Sequence, residues 1–315
     1  MPISLNDVVS AGVSTAVPQQ MPAGYMGIFG NGEYTAFLIP GAHSFTVPNG
    51  VSRIRVRVIG AGGSGANGNS PGVTGGSSSF GNLISATGGV GGASSVATGG
   101  VGIGGDFQAS GGNAYWSAGS PAYSYPGGSG GAAAGSQLGD GGHSYGEGGA
   151  GVGGASSIYS GYGSSAYGMA SGPSAAPDCM GIRGNGMAVY PIERFPFDFF
   201  SGGGATRYGS STIGVDAGSG AGGCYRSNPP ISCGGHGGGG GAGSTSGNAG
   251  MGGHGGGGGR RGSGSYTGGA GGGYAHGIFD VTAGQVFSVT VGLGGLIGVT
   301  DLAGAGGHGL VVVEW

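Results

Sequence analysis

The chain has 315 residues, including 92 glycines, 14 prolines and 3 cysteines, and its 9 arginines, with no lysine, meet 12 acidic residues for a net charge of −3. So small an excess gives no electrostatic case for a nucleic-acid or anionic-membrane partner, and no apolar run approaches the roughly 20 residues of a membrane span. Ordering glycine costs roughly 0.5–1 kcal/mol more per residue than ordering alanine in regular structure, so disorder is the alternative that a folded reading must displace.

Residues 1–23 are polar with scattered aliphatics, and Ser4 could cap a short helix beginning at Leu5. The segment MPISLNDVVSAGVSTAV lacks the basic start and continuous apolar stretch of a Sec signal peptide. Tyr25–Pro40 is richer in aromatic and aliphatic residues, and Asn31-Gly32 predicts a hairpin turn. Residues 1–41 are therefore read as an attachment segment and hairpin, and 42–315 as one glycine-rich domain with a glycine-rich insertion over about 60–273. Phe45-Thr46-Val47, the turn Pro48-Asn49-Gly50 and Val51–Ile59 predict a strand pair. Within it Ile54, Val56 and Val58 alternate with Arg53, Arg55 and Arg57, which turns the aliphatics to a core and the arginines outward. Phe80–Ser85 predicts a further strand.

Glycine tracts follow at Gly60–Gly76, Gly88–Gly105 and Gly127–Gly154, with the longest run at Gly234–Arg260. Read in triplets, that run is GGH GGG GGA GST SGN AGM GGH GGG GGR. A three-residue period is that of an extended left-handed helix of the polyproline II type, rising about 3.1 Å per residue. Two lengthwise faces are almost bare glycine. The third carries His236, Gly239, Ala242, Thr245, Asn248, Met251, His254, Gly257 and Arg260. Collagen shares the period but needs abundant proline, and this run has none. Packed polyglycine II helices are the expectation, with N–H and C=O groups paired between helices and Cα–H groups against carbonyls. In the other tracts the triplet phase slips after a few turns, where short helices would end. As one helix, the long run would hold His236 and His254 about 56 Å apart, too far to share a metal.

Towards the far end, Tyr274–Val281, a Thr282–Gly284 turn and Gln285–Val291 predict a hairpin with Phe287, Val289 and Val291 on one face. Leu310–Trp315 predicts a last strand. The fold expected is mainly β and irregular. A small β-sandwich base from the two ends of the chain would carry packed polyglycine II helices and aromatic loops between them.

The chemistry on offer is sparse. A Walker loop needs a lysine. Gly142–Gly146 and Gly127–Gly131 fit the G-x-S-x-G pattern, but a nucleophile elbow needs a strand before it and a helix after it, and neither is legible there. No enzyme activity, cofactor or metal site is expected. Cys224 and Cys233 bracket CYRSNPPISC and could close a loop, with Cys179 left over; three free thiols are an equal alternative. Arg260-Arg261-Gly262, a single Arg-Gly fragment, reads as a solvated turn. The non-glycine islands stand out more. They hold Tyr115, Trp116, Tyr123 and Tyr125, then Tyr159, Tyr162 and Tyr167, then Tyr190, Tyr208, Tyr225 and Arg226. Aromatic side chains give large, rigid contact area, and loops at helix ends are free to vary, so these are the candidate receptor-binding residues. The Phe195–Phe200 run is too apolar to expose and is read as a local core.

The phrases FTVPNGVSRIRVRVIGAGG at 45–63, GGYAHGIFDVTAGQVFSVTVGLGG at 272–295 and GLVVVEW at 309–315 resemble the glycine-rich domain of bacteriophage and prophage tail-fibre proteins. The middle is similar in style to tail-tip adhesins whose distal domain is a sandwich of polyglycine II helices, with receptor-contacting loops at the helix ends. Residues 1–44 are outside the resemblance. It implies a virion tail protein assembled in the host cytoplasm that binds a bacterial surface glycan or outer-membrane protein. It also implies contacts to other tail or baseplate proteins, here assigned to the N-terminal segment, and a homo-oligomer, with a trimer favoured. The alternatives are a self-associating glycine-rich filament or coat component, and an ice-binding protein. The His, Met and Arg residues of the triplet face argue against ice binding.

Overall fold

Segments that alternate aliphatic and polar residues make strands with one apolar face each, and such faces must be covered. The structure, a computed structural model, describes residues 32–68, 70–116, 129–137, 139–145, 149–152, 222–223, 233–243, 248–262, 266–296 and 303–315. The strands are β1 (Tyr34–Phe37), β2 (Gly41–Thr46), β3 (Arg53–Ile59), β4 (Ser78–Phe80), β5 (Ile84–Ala86), β6 (Val96–Ala97), β7 (Gly102–Gly104), β8 (Phe107–Ala109), β9 (Ala114–Tyr115), β10 (Tyr274–Asp280), β11 (Val286–Val291) and β12 (Leu310–Glu314). Among the described residues there is no α-helix. The fold is mainly β.

Two five-stranded antiparallel sheets are ordered β1-β12-β3-β10-β8 and β2-β11-β4-β5-β7, with β6 and β9 as a separate pair. They form a sandwich. Ile54, Val56, Val58, Val311 and Val313 of the first sheet meet Phe45, Phe80, Ile84, Phe287 and Val289 of the second in one buried cluster. Phe80 is central to it, with its ring centroid 4.7 Å from Phe287 and 5.9 Å from Phe45. The expected faces of β3 and β11 are both present: Ile54, Val56 and Val58 are fully buried, and Phe287, Val289 and Val291 nearly so.

The strand pair expected over 45–59 and the hairpin expected over 274–291 are instead crossings between the sheets. β2 pairs with β11, while β3 pairs with β10 and β12. Likewise β10 lies in the first sheet and β11 in the second. Alternation shows that one face of a strand is buried, but both partners of a crossing bury their faces in the same core, so period two does not tell a hairpin from a crossing. The turn near Asn31-Gly32 and the helix proposed after Ser4 fall wholly or partly outside the described residues; β1 pairs with β12. The strand expected at Phe80–Ser85 is a hairpin of β4 and β5.

The arginines are not all turned to solvent. Arg53 is exposed and meets the exposed Asp280 at 3.0 Å. Arg57 is 7% exposed, and the fully buried Glu314 accepts from Arg55 Nε, from Arg55 Nη2 at 3.1 Å and from Arg57 Nη2 at 3.2 Å. The reason is tertiary: the outer side of β3, β10 and β12 is covered near Ile59, Tyr274 and Val312 by Ala133, Ala134, Ala150 and Val152 of the glycine tracts.

Those tracts bond with a regular direction. In 60–68, the N–H groups of Gly60, Gly63 and Ala66 donate to the carbonyls of Gly273, Ala270 and Thr267. Those of Ala61, Ser64 and Asn67 donate to Gly76, Val73 and Ser70, and those of Gly62 and Gly65 to Gly307 and Gly304. Three neighbouring tracts are thus served in rotation, with a repeat of three where a strand would have two. The same rotation holds for 267–273, whose Thr267, Ala270 and Gly273 donate to Ala93, Val90 and Thr87. Close approach requires the missing side chains: a Cβ on Gly62, Gly65, Gly257 or Gly269 would lie closer than 3.0 Å to the carbonyl of Gly256, Gly259, Gly269 or Gly63, respectively.

The run Gly234–Arg260 is not one extended element. It turns at His236-Gly237 and at His254-Gly255, where both glycines have positive φ, and 248–253 lies antiparallel beside 237–243 through Gly250 N–H to Gly241 O and Gly253 N–H to Gly238 O. The rings of His236 and His254 are consequently 5.2 Å apart, not about 56 Å. Triplet phase runs on through a reversal when the turn itself, His-Gly, keeps the triplet register.

Two substitutions test these packing claims by thermal unfolding. Gly257→Ala forces a methyl onto the Gly269 carbonyl and is expected to cost about 1–3 kcal/mol, while Met251→Ala, at a half-exposed site, stays within about 0.5 kcal/mol of wild type. Glu314→Ala leaves Arg57 buried without its carboxylate, with an expected loss of about 3–5 kcal/mol.

Candidate functional site

The antiparallel tracts give the assembly two ends. At the sandwich end lie the turns Ser136–Gly139, His236-Gly237 and His254-Gly255; a Cβ on Gly255 would strike Ile59 at the end of β3. At the far end lie the turn Asn67–Ser70, which bonds Arg261, and the contacts of Thr267 with Ala93 and of Gly268 with Ser129. The residues flanking 117–128, 146–148, 244–247, 263–265 and 297–302 all lie towards this far end.

An aromatic cluster stands there. Tyr115, the last residue of β9, stacks on Tyr145 with centroids 4.6 Å apart and planes 7° from parallel. His143 meets both rings edge-on, at 5.6 Å from Tyr115 and 5.9 Å from Tyr145. Backbone bonds hold the cluster: Tyr115 N–H donates to Ser144 O, Ser144 N–H to Asn113 O, and Trp116 N–H to Ser95 O. Asn113 links its members, since its amide donates to the Tyr115 hydroxyl at 2.9 Å, its carbonyl oxygen accepts from Gly99 N–H, and its backbone N–H donates to His143 Nδ1 at 2.9 Å. An Nδ1 that accepts fixes the neutral tautomer with hydrogen on Nε2. Burial lowers the His143 pKa below its usual value, with the Asp140 carboxylate opposing it.

Of the residues expected to bind a receptor, Tyr115 and Trp116 are placed at the far end, each partly exposed. Tyr123, Tyr125, Tyr159, Tyr162, Tyr167, Tyr190, Tyr208, Tyr225 and Arg226 lie outside the described residues, as do the Phe195–Phe200 run and Cys224, and with Cys224 the Cys224–Cys233 pairing. The structure adds His143 and Tyr145. Their motif, Gly-His-Ser-Tyr-Gly, fits the nucleophile pattern only through its serine, and Ser144 is fully buried. The readable signal was the pair of rings at spacing two, which places both on one side of an extended segment.

A second histidine group lies at the sandwich end, where His254 adjoins His236 and His308. Burial lowers the His254 pKa, and its Nδ1 is buried without a hydrogen-bond partner. Among the described residues no group of three or more His, Cys, Asp or Glu could hold a metal ion, and no helix is long and apolar enough to cross a membrane.

Comparison with known proteins gives no match: no family, no curated protein and no solved structure is similar to this chain.

Both histidines carry a pH prediction. With a folded pKa below the unfolded value of about 6.5, each contributes stability that is fully present above that value and is lost as pH falls through the folded pKa. Thermal unfolding of the wild type should therefore shift to lower temperature as pH drops below about 6.5. His143→Gln and His254→Gln should each flatten that dependence. An equal slope in all three proteins would remove the assignment.

Proposed function

We propose that the chain is a tail-fibre or tail-tip protein of a bacteriophage that binds a bacterial surface receptor through aromatic residues carried on a polyglycine II scaffold. The sandwich is the base. The tracts are the helices, because hydrogen-bond direction repeating every three residues is what three residues per turn requires. The observation that carries the reading is polarity: the aromatic cluster of Tyr115, His143 and Tyr145 stands at the end of the tracts away from the sandwich, beside the flanks of 117–128 and 146–148. Tracts that carry an aromatic cluster at one end offer large, rigid contact area there, as a reading head needs. The resemblance of 45–63, 272–295 and 309–315 to tail-fibre glycine-rich domains points the same way. The receptor is a surface glycan or an outer-membrane protein, residues near the N-terminus join the chain to other tail or baseplate proteins, and the setting is the virion tail. On this reading the protein is not an enzyme.

The test is binding of purified, fluorescently labelled protein to a panel of whole bacteria. Wild type should bind a subset of strains as discrete particles. Tyr115→Ala combined with Trp116→Ala should reduce binding at least about tenfold, a loss of about 1.4 kcal/mol or more, while the protein stays folded at the temperature of the binding assay. Binding to no strain, or binding indifferent to these rings and to those of 117–128, would sink the proposal. Open-ended polymerisation of the purified chain would favour a structural filament instead.

A further inference from the structure

Strand order carries over from the second sheet into the glycine tracts. β11 runs on into 292–296, β4 follows 70–76, β5 leads into 87–93, and β7 follows 98–101. These tracts are bonded in that same order. Gly76 N–H donates to Leu293 O, Gly72 and Gly75 to Gly92 and Gly89, and Thr87 and Val90 to Val101 and Thr98. On the inner side the layer is joined to 60–68, through Ala61 to Gly76, Gly89 to Ala61, Gly92 to Ser64 and Gly295 to Gly62. Among the described residues no tract covers its outer side. There Val73, Val90, Val101, Ile103, Leu293 and Leu296 are between 39% and 53% exposed.

This flank is also without charge. Residues 58–105 and 281–300 contain no Asp, Glu, Lys or Arg. The strands of the first sheet, by contrast, carry Arg53, Arg55, Arg57, Asp280 and Glu314. Six exposed aliphatics on one uncharged layer exceed the single exposed apolar residues that any surface shows.

We propose that this flank is the interface with a second copy of the chain. Two such faces meet without burying an unpaired charge on either side. Four chains about 4.8 Å apart, each running about 30 Å through strand and tract, span on the order of 600 Å² before side-chain relief. That approaches the roughly 800 Å² per partner of a standard interface. The proposal does not rest on the receptor reading, because the flank is separate from the aromatic cluster.

The experiment is the mass of the purified full chain in solution, by light scattering at concentrations up to about 100 μM, a hundredfold above a micromolar Kd. Wild type should have the mass of a dimer, since two identical faces that meet close at two copies. Val101→Glu and Leu293→Glu should each raise the dissociation constant at least about tenfold while unfolding at the temperature of dilute, dissociated wild type. Ile39→Glu, in the exposed β1–β2 turn, should change nothing. Hydrogen exchange of the 70–76 and 87–93 amides should slow as wild-type concentration rises, which tests the face without any variant. A monomeric wild type would overturn the proposal, as would association undisturbed by either glutamate with no concentration-dependent protection.

Discussion

The structure depends on one contact repeated many times: a glycine Cα lying directly against the carbonyl of a neighbouring tract while the flanking N–H groups bond to other tracts. A methyl at Gly62, Gly65 or Gly257 has nowhere to go. Conventional cores fill space with side chains, which loses side-chain entropy but gains apolar burial. Here the backbones supply the packing, and the gain is the satisfaction of buried N–H and C=O groups with almost no side-chain entropy to lose. Alanine appears where a methyl does fit, as at Ala132, Ala133, Ala134 and Ala270, all fully buried.

Such a lattice has no edge of its own, since an isolated tract with three bonding directions satisfies none of them. The sandwich supplies the boundary. Its strands enter the tracts already ordered as neighbours: β12, β3 and β10 lead to or from 303–309, 60–68 and 267–273, which bond to one another in that order. Phe45, Phe80 and Phe287 fix the two sheets face to face, and so the spacing between the first two layers of tracts. Ion pairing of Glu314 with Arg55 and Arg57 ties β12 to β3 on the side where further tracts lie over the sheet. Placing this base at one end leaves the other for residues that need not bond in rotation. Tyr115, His143 and Tyr145 stand there, held by backbone bonds among Ser95, Asn113, Tyr115, Trp116 and Ser144 and by the Asn113 side chain.

Much of this was legible from particular residues. Ile54, Val56 and Val58 against Arg53, Arg55 and Arg57 marked β3 and its buried face, and Phe287, Val289 and Val291 marked β11. Glycine in triplets signalled a period other than two. What escaped was whatever required knowing where a segment goes next. The two crossings between sheets look like hairpins because Pro48-Asn49-Gly50 and Thr282–Gly284 are good turns for either path. His236 and His254 looked remote because Gly237 and Gly255 continue the triplet while reversing the chain. The cluster at Tyr115 is half legible, since its partner Tyr145 lies in a motif that fits a serine pattern.

The sequence by itself therefore determined the local periods: two at the ends of the chain, three in the glycine tracts, with apolar faces on the first and bare faces on the second. Only the tertiary structure decided which segments are neighbours, which end of the tracts faces the sandwich, and that Arg57 and Glu314 are buried together. The reason is physical. A side-chain pattern records which faces must be covered, but glycine carries no side chain to record by what. The choice among many identical backbones is made where the tracts join the sandwich, whose strands already lie in the order in which the tracts bond.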